Sequence, residues 1–217
     1  MSVISGFTQE DFDVFSIEGL DARMEGIKSI IRPKLEALGQ HYAPSLSMAT
    51  GNEMFTHVAK HARRTVNPPD DTWVAWAADK RGYKKHPHFQ VGLWGTHLFV
   101  WYAVIYESPA KVQVSEAMRT HLEEILSFVP DDFRWSPDHM QPASTSSAEL
   151  GKEGILKLVD RLATVKKAEI LCGINIDRHD PILADGSALL ARLDETFAIL
   201  TKLYRIAQPT TEASLPV

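Results

Sequence analysis

Cys172 is the only thiol in 217 residues. An internal disulfide and a cysteine-rich zinc site are therefore both excluded. Long apolar runs are missing too. The longest, Leu98 to Tyr106, is nine residues, whereas a membrane helix needs about 20. The start, Met1-Ser2-Val3-Ile4-Ser5-Gly6-Phe7-Thr8, carries no basic region and no apolar one, so no secretory signal is expected. These absences favour a cytoplasmic protein with no membrane partner. Familiar catalytic signatures are absent as well. There is no Walker-type phosphate loop, no Gly-x-Gly-x-x-Gly, no serine nucleophile elbow and no His-Glu-x-x-His. A strong net charge is also lacking: Lys and Arg total 23, Asp and Glu 28, a balance of −5. That mild acidity argues against a general nucleic-acid coat and says nothing about a local patch.

What is present reads as a folded chain. Hydrophobic residues make up 44% and charged residues 24%, which excludes disorder. The length suffices for one core without metal or disulfide support. We expect a single domain over residues 1–207 and a disordered tail over 208–217.

The periodicities predict an α+β fold. Thr8-Gln9-Glu10-Asp11 resembles a capping box and opens a short helix with Phe12 and Phe15. Asp21 reads as the cap of the next helix, whose stripe is Met24, Ile27, Ile31, Leu35, Leu38 and Tyr42. Pro33, inside that stripe, kinks the helix or starts a second one. Residues 55–107 are rich in Val, Trp, Phe and Tyr, with turn signals between, and predict an antiparallel, or mixed, sheet in a meander. In His88 to Trp94, Phe89, Val91 and Leu93 face a core while His88, Gln90 and Trp94 face the other side. Leu98 to Tyr106 is apolar on both faces and predicts the central strand. Residues 55–63 read as strand from the short connection that follows. Thr50-Gly51-Asn52-Glu53, a capping box, makes helix the alternative.

The rest alternates. Ser115 is expected to cap a helix with Met118, Leu122, Ile125 and Val129, and residues 130–147 read as a long loop with Phe133-Arg134-Trp135 ordered against the body. Ile155, Leu158, Val159, Leu162 and Val165 mark another helix, Ile170 to Ile176 a strand, and Asp185 the cap of a last long helix. His179-Asp180 resembles half of a metal phosphohydrolase motif but precedes Pro181, which predicts a surface turn. Cys172, mid-strand, reads as a buried small hydrophobe.

One segment stands apart. Residues 57–88 hold seven Lys or Arg and three acids, a local balance of +4 that leaves −9 for the remainder. Four of nine histidines fall there: His57, His61, His86 and His88. In a strand, His57 and His61 share a face with Arg63; in a helix, with Arg64. Guanidinium forks match phosphate oxygens, and a histidine can donate as imidazolium. The candidate ligand-binding residues are therefore His57, His61, Arg63, Arg64, Lys84, Lys85, His86 and His88. The plain alternative is a solvated basic edge, where lysine prevents edge-to-edge pairing. A metal site is not expected, since no carboxylate lies at a ligand-like spacing. Trp73, Trp76, Trp94 and Trp101 read as core packing ahead of base stacking.

Several blocks resemble a known family. Phe7-Thr8-Gln9-Glu10-Asp11-Phe12, Ile17-Glu18-Gly19-Leu20 and Arg23-Met24 are similar to the opening of the YktB-like bacterial proteins, an uncharacterised group. His57 to Pro69, Asp71 to Ala75, Gly82 to Lys85 and Pro87 to Trp94 continue the likeness, which runs through about Glu107. The resemblance implies a compact α+β domain in bacterial cytoplasm and supplies no activity, cofactor or catalytic residue. The expected function is a binding or regulatory module for an anionic, phosphate-bearing small molecule, or for nucleic acid. The alternative is an enzyme acting on a phosphorylated or nucleotide substrate, with His57 or His61 as general acid/base.

Overall fold

β4 (His97–Val104) is buried at every position, as a strand apolar on both sides must be. The computed structural model, which describes residues 4–208, sets it in the middle of a seven-stranded sheet. The tail expected to be disordered lies, beyond Gln208, outside the described residues. β1 (Phe55–Val58), β2 (Asp71–Ala77) and β3 (His88–Trp94) reach β4 as an antiparallel meander. On its other side lie β7 (Ile170–Asp177), then β5 (Arg134–Ser136) and β6 (Thr145–Ser146). Every pairing is antiparallel. The fold is α+β, as the pattern predicts.

Seven α-helices are present among the described residues: α1 (Gln9–Asp13), α2 (Leu20–Gly26), α3 (Arg32–Thr50), α4 (Lys111–Thr120), α5 (Leu122–Phe128), α6 (Ser147–Thr164) and α7 (Gly186–Ile206). No helix there is long and apolar enough to cross a membrane. Pro33 sits in the first turn of α3, directly after a π-helical turn over Ile27–Ile31 that continues α2, the kind of irregularity that accompanies a proline in a helical run. The Asp11 carboxylate is fully buried and accepts from Thr8 N at 2.7 Å and Lys34 Nζ at 2.6 Å, which ties α1 to α3.

The period of two gives the sheet two unlike faces. On the first, Trp76, Phe89, Tyr102, Cys172 and Trp135 form one row across five strands. This row meets the helices: Trp76 Nε1 donates to Gly39 O of α3 at 2.9 Å, and Phe89 touches Phe197 and Tyr204 of α7. Cys172 is buried, as read from the sequence. On the second face, His57, Ala75, Gln90, Trp101, Gly173 and Arg134 form the matching row. The apolar residues of the helices join the first face. The second keeps a small aromatic cluster of its own, with Phe99, Trp101, Trp73 and Trp94. Ser136 of β5 and Asp138, His139 and Gln141 of the loop after it line a crevice with that cluster.

Four local expectations are corrected. Asp21 is not the cap of α2; Gly19 is, at φ 82°, and Asp21 falls in the first turn. Ser115 is not a cap but lies inside α4, where its buried hydroxyl donates to Val159 O of α6 at 2.6 Å. Residues 130–147 are not only loop: they contain β5 and β6, with Trp135 fixed by its Nε1 on Ser147 Oγ at 2.9 Å. The strand read over 55–63 is real but ends at Val58. Asp185 does cap α7, its Oδ1 accepting from Ser187 N and Ala188 N.

Candidate functional site

The end of β1 and the two loops flanking β2 enclose an open groove of about 1060 Å³. His57 enters it from β1. Its Nε2 meets the Asp79 carbonyl at 2.9 Å, and burial pulls its pKa down although that carbonyl acts the other way. Past Val58 the chain turns. His61 takes φ 51°, left-handed backbone that a non-glycine residue seldom adopts, and Arg64 N closes the turn on His61 O at 3.0 Å. This turn brings Arg63 and Arg64 together on the groove wall, so neither the strand nor the helix register decides between them. His61 stands edge-on to Trp73, with Nε2 3.1 Å from Thr72 Oγ1. Burial, then the charges of Arg64 and Arg32, pull its pKa down to about 4.

The opposite wall comes from the loop between β2 and β3. Lys84 and Lys85 line it, and Lys84 Nζ pairs with Glu107 at 3.1 Å. Tyr83 folds back onto the sheet, where its hydroxyl accepts from Trp73 Nε1 at 3.0 Å and its ring lies 4.8 Å from that of His88. Six of the eight sequence candidates thus share one groove. The other two do not line it. His86 turns to Asp79, with Nε2 3.2 Å from the carboxylate. His88 lies beneath Tyr83 with no solvent contact; Nδ1 donates to His86 O at 2.7 Å and Nε2 accepts from Gln90 at 3.0 Å. Its burial pulls the pKa down to about 4. His57, His61 and His88 are therefore held toward the neutral form, and the imidazolium donor expected of this segment does not fit them.

Over residues 7–204 the chain matches the family described as a domain of unknown function, DUF1054. The chain belongs to this family. UPF0637 proteins of Bacillus velezensis and Bacillus licheniformis are each 52% identical to it over 202 residues, 93% of this chain and 96% of theirs. A UPF0637 protein of Bacillus cereus is 48% identical over 203 residues, 94% and 98%. The YktB-like resemblance is borne out, and it extends well past Glu107. These descriptions name no activity, so the chemistry of this DUF1054 chain is read from its geometry.

That geometry adds residues that are not among the eight candidates. Lys60 and Arg81 also line the groove. Arg32, from the first turn of α3, lies near enough to His61 to depress it. Its Nε and Nη2 are buried and have no hydrogen-bond partner among the described residues. Buried guanidinium nitrogens without a hydrogen-bond partner are costly, and nothing in the local sequence of Arg32 signals them. Arg63 and Arg64 make no ion pair among the described residues either, whereas Arg23 pairs with Asp70. The tryptophans divide. Trp76 is core; Trp73, Trp94 and Trp101 belong to the second face.

Proposed function

We propose that this DUF1054 chain binds a compact anionic ligand bearing phosphate in the groove between β1 and the loop that follows β2. The supporting observation is that Arg63 and Arg64 line one wall of the groove with no acid paired to either among the described residues, while Arg32 adds its charge near His61. An anion at this place would receive charge-assisted hydrogen bonds from forks that otherwise have no partner. Lys60, Lys84 and Lys85 add field along the walls. His57 and His61, held neutral, serve as hydrogen-bonding walls and not as cations. The role suits a binding or regulatory module in the cytoplasm, where a lone cysteine stays reduced.

The test is calorimetric titration with inorganic pyrophosphate. Arg63→Ala and Arg64→Ala are each expected to weaken binding by about 1.5–3 kcal/mol for each charged hydrogen bond lost. If the double variant binds pyrophosphate as the unaltered chain does, the assignment is wrong. Catalysis by His57 or His61 is the weaker reading, because neither is oriented by a carboxylate and each ring already holds a partner.

A further inference from the structure

A second set of polar groups lies on the helix-free face of the sheet, outside the groove. We propose that the crevice between Asp71 of β2 and Asp138 and His139 of the loop after β5 binds one divalent transition-metal ion. The ion needs no anion in the groove, so either site can fail without the other.

The fold fixes the imidazole first. Glu169 stands just before β7 and is 4% exposed. Its Oε1 accepts from Tyr106 N at 3.3 Å; its Oε2 accepts from His139 N at 2.9 Å and from His139 Nδ1 at 2.7 Å. Those three N–H groups occupy the carboxylate, so Glu169 orients the ring and leaves the ion to other donors. The bond to Oε2 keeps the His139 proton on Nδ1. Nε2 is left with its lone pair and makes no hydrogen bond among the described residues. A carboxylate behind an imidazole whose far nitrogen is free is the support that metal-binding histidines have.

His139 lines a crevice of about 10 Å³ with Asp71, Gln90 and Asp138. That space takes one water, or an ion of similar size, and no larger ligand. A ring nitrogen of His139 and carboxylate oxygens of Asp138 and Glu169 lie within 4.8 Å of one another. Donors about 2.0–2.2 Å from an ion stand at most about 4.4 Å apart, so small side-chain movements close Asp138 and His139 on one ion. Asp138 Oδ1 accepts from Met140 N at 2.8 Å, which leaves Oδ2 for the ion. Neither Asp71 nor Asp138 makes an ion pair among the described residues, although the neighbouring Asp70 pairs with Arg23.

Gln90 supplies an independent sign. It is 4% exposed and its Nε2 is spent on His88 Nε2 at 3.0 Å, while its Oε1 has no hydrogen-bond partner among the described residues. A buried amide oxygen without a donor is costly, and a water held by an ion in the crevice would donate to it. Trp94, Phe99 and Trp101 wall the same crevice. Such an apolar shell lowers the local dielectric and strengthens the attraction between an ion and the two carboxylates. One imidazole nitrogen with carboxylate oxygens, and no thiolate, suits zinc or manganese, and the nitrogen disfavours magnesium and calcium. No ligand spacing along the chain signals this site, since Asp71 and the Asp138-His139 pair meet only in the fold.

The experiment strips the full chain with EDTA, then titrates it calorimetrically with zinc chloride and with manganese chloride while melting is followed in parallel. We expect one ion per chain, zinc held more tightly than manganese, and a rise in melting temperature that EDTA reverses. Glu169→Gln should weaken zinc binding by about 10–100-fold, as loss of the carboxylate behind a ligating histidine does. His139→Gln and Asp71→Asn should weaken it at least as much. The near-isosteric Asp71→Asn should melt in EDTA as the unaltered chain does, which separates loss of the ion from loss of the fold. Should it fail to fold, Asp138→Asn, on the loop, carries the same expectation. His179→Gln, on the exposed turn after β7, should leave zinc affinity unchanged. Zinc binding that survives both His139→Gln and Asp71→Asn marks an adventitious ion only, held by surface histidines, and overturns the site. Failure of both metals to bind the unaltered chain overturns it as well.

Discussion

His88 shows what a titratable side chain does when the chain needs it neutral. It has no solvent contact, and both ring nitrogens hold partners that suit the neutral tautomer. Burial depresses its pKa from 6.5 to about 4 in the folded state. The unfolded chain therefore binds the proton more tightly. Its contribution to stability is full above about pH 6.5 and is lost as pH falls toward about 4. Within that window one such group costs about 1.4 kcal/mol per pH unit. His61 and His97 are also depressed to about 4 and act in the same direction. Asp71 acts the other way: its pKa is raised, so its contribution is full below about 3.8 and is lost as pH rises through about 7. His88→Gln should flatten the fall in urea-unfolding free energy between pH 6.5 and 4 by about 1.4 kcal/mol per unit. A slope equal to that of the unaltered chain would show that His88 is not held neutral.

Among the elements, alternation reports which side a residue faces but not what covers that side. Phe89, Val91 and Leu93 were legible as core for that reason, and β4 as the central strand. His88 and Gln90 were legible as opposite to the core, yet both are buried: Tyr83 folds back over His88 from the loop before β3, and Gln90 lies with Trp101 and His139. The basic groove was legible as a charge contrast. Arg32 was not, nor was the contact of His139 Nδ1 with Glu169 Oε2 at 2.7 Å, since each involves residues far apart in the chain and in no charged run. Short elements also escaped: β5 and β6 are three and two residues long, less than a period of two can register. Thr50-Gly51-Asn52-Glu53 read as a helix start, and it is a helix end. Gly51 takes φ 74° after the last turn of α3, and Thr50 Oγ1 donates back to Leu46 O. Where strands press closely, glycine is required. A methyl at Gly173 would strike the Val100 carbonyl in the β4–β7 pairing and meet the Trp101 ring at 3.1 Å. Gly173→Ala should cost about 1–3 kcal/mol or more, as overpacking does. Gly82→Ala, with open space around it, should leave thermal unfolding nearly unchanged. If both variants melt alike, the close approach of Trp101 to Gly173 is not what the fold depends on.

For the whole molecule, the balance of −5 divides into +4 over residues 57–88 and −9 elsewhere. The acidic remainder repels an extended polyanion, while a compact anion meets only the groove. The two partner classes therefore separate by salt. A protein engaging six to ten phosphates of a duplex loses about 10³–10⁵ in affinity between 50 and 200 mM salt. A single small anion held by a few guanidinium groups releases few counterions, so its affinity should fall far less. Stability gives a second readout that needs no labelled ligand. Pyrophosphate at 100 times its dissociation constant adds about 2.7 kcal/mol to the folded state, which for a chain of this size raises the melting temperature by about 5–10 °C. The shift should vanish when Arg63 and Arg64 are both alanine, because that change removes the anion's partners. A shift that survives the double arginine variant would move the anion elsewhere on the molecule, and a steep salt slope with an oligonucleotide would make the groove part of a longer track.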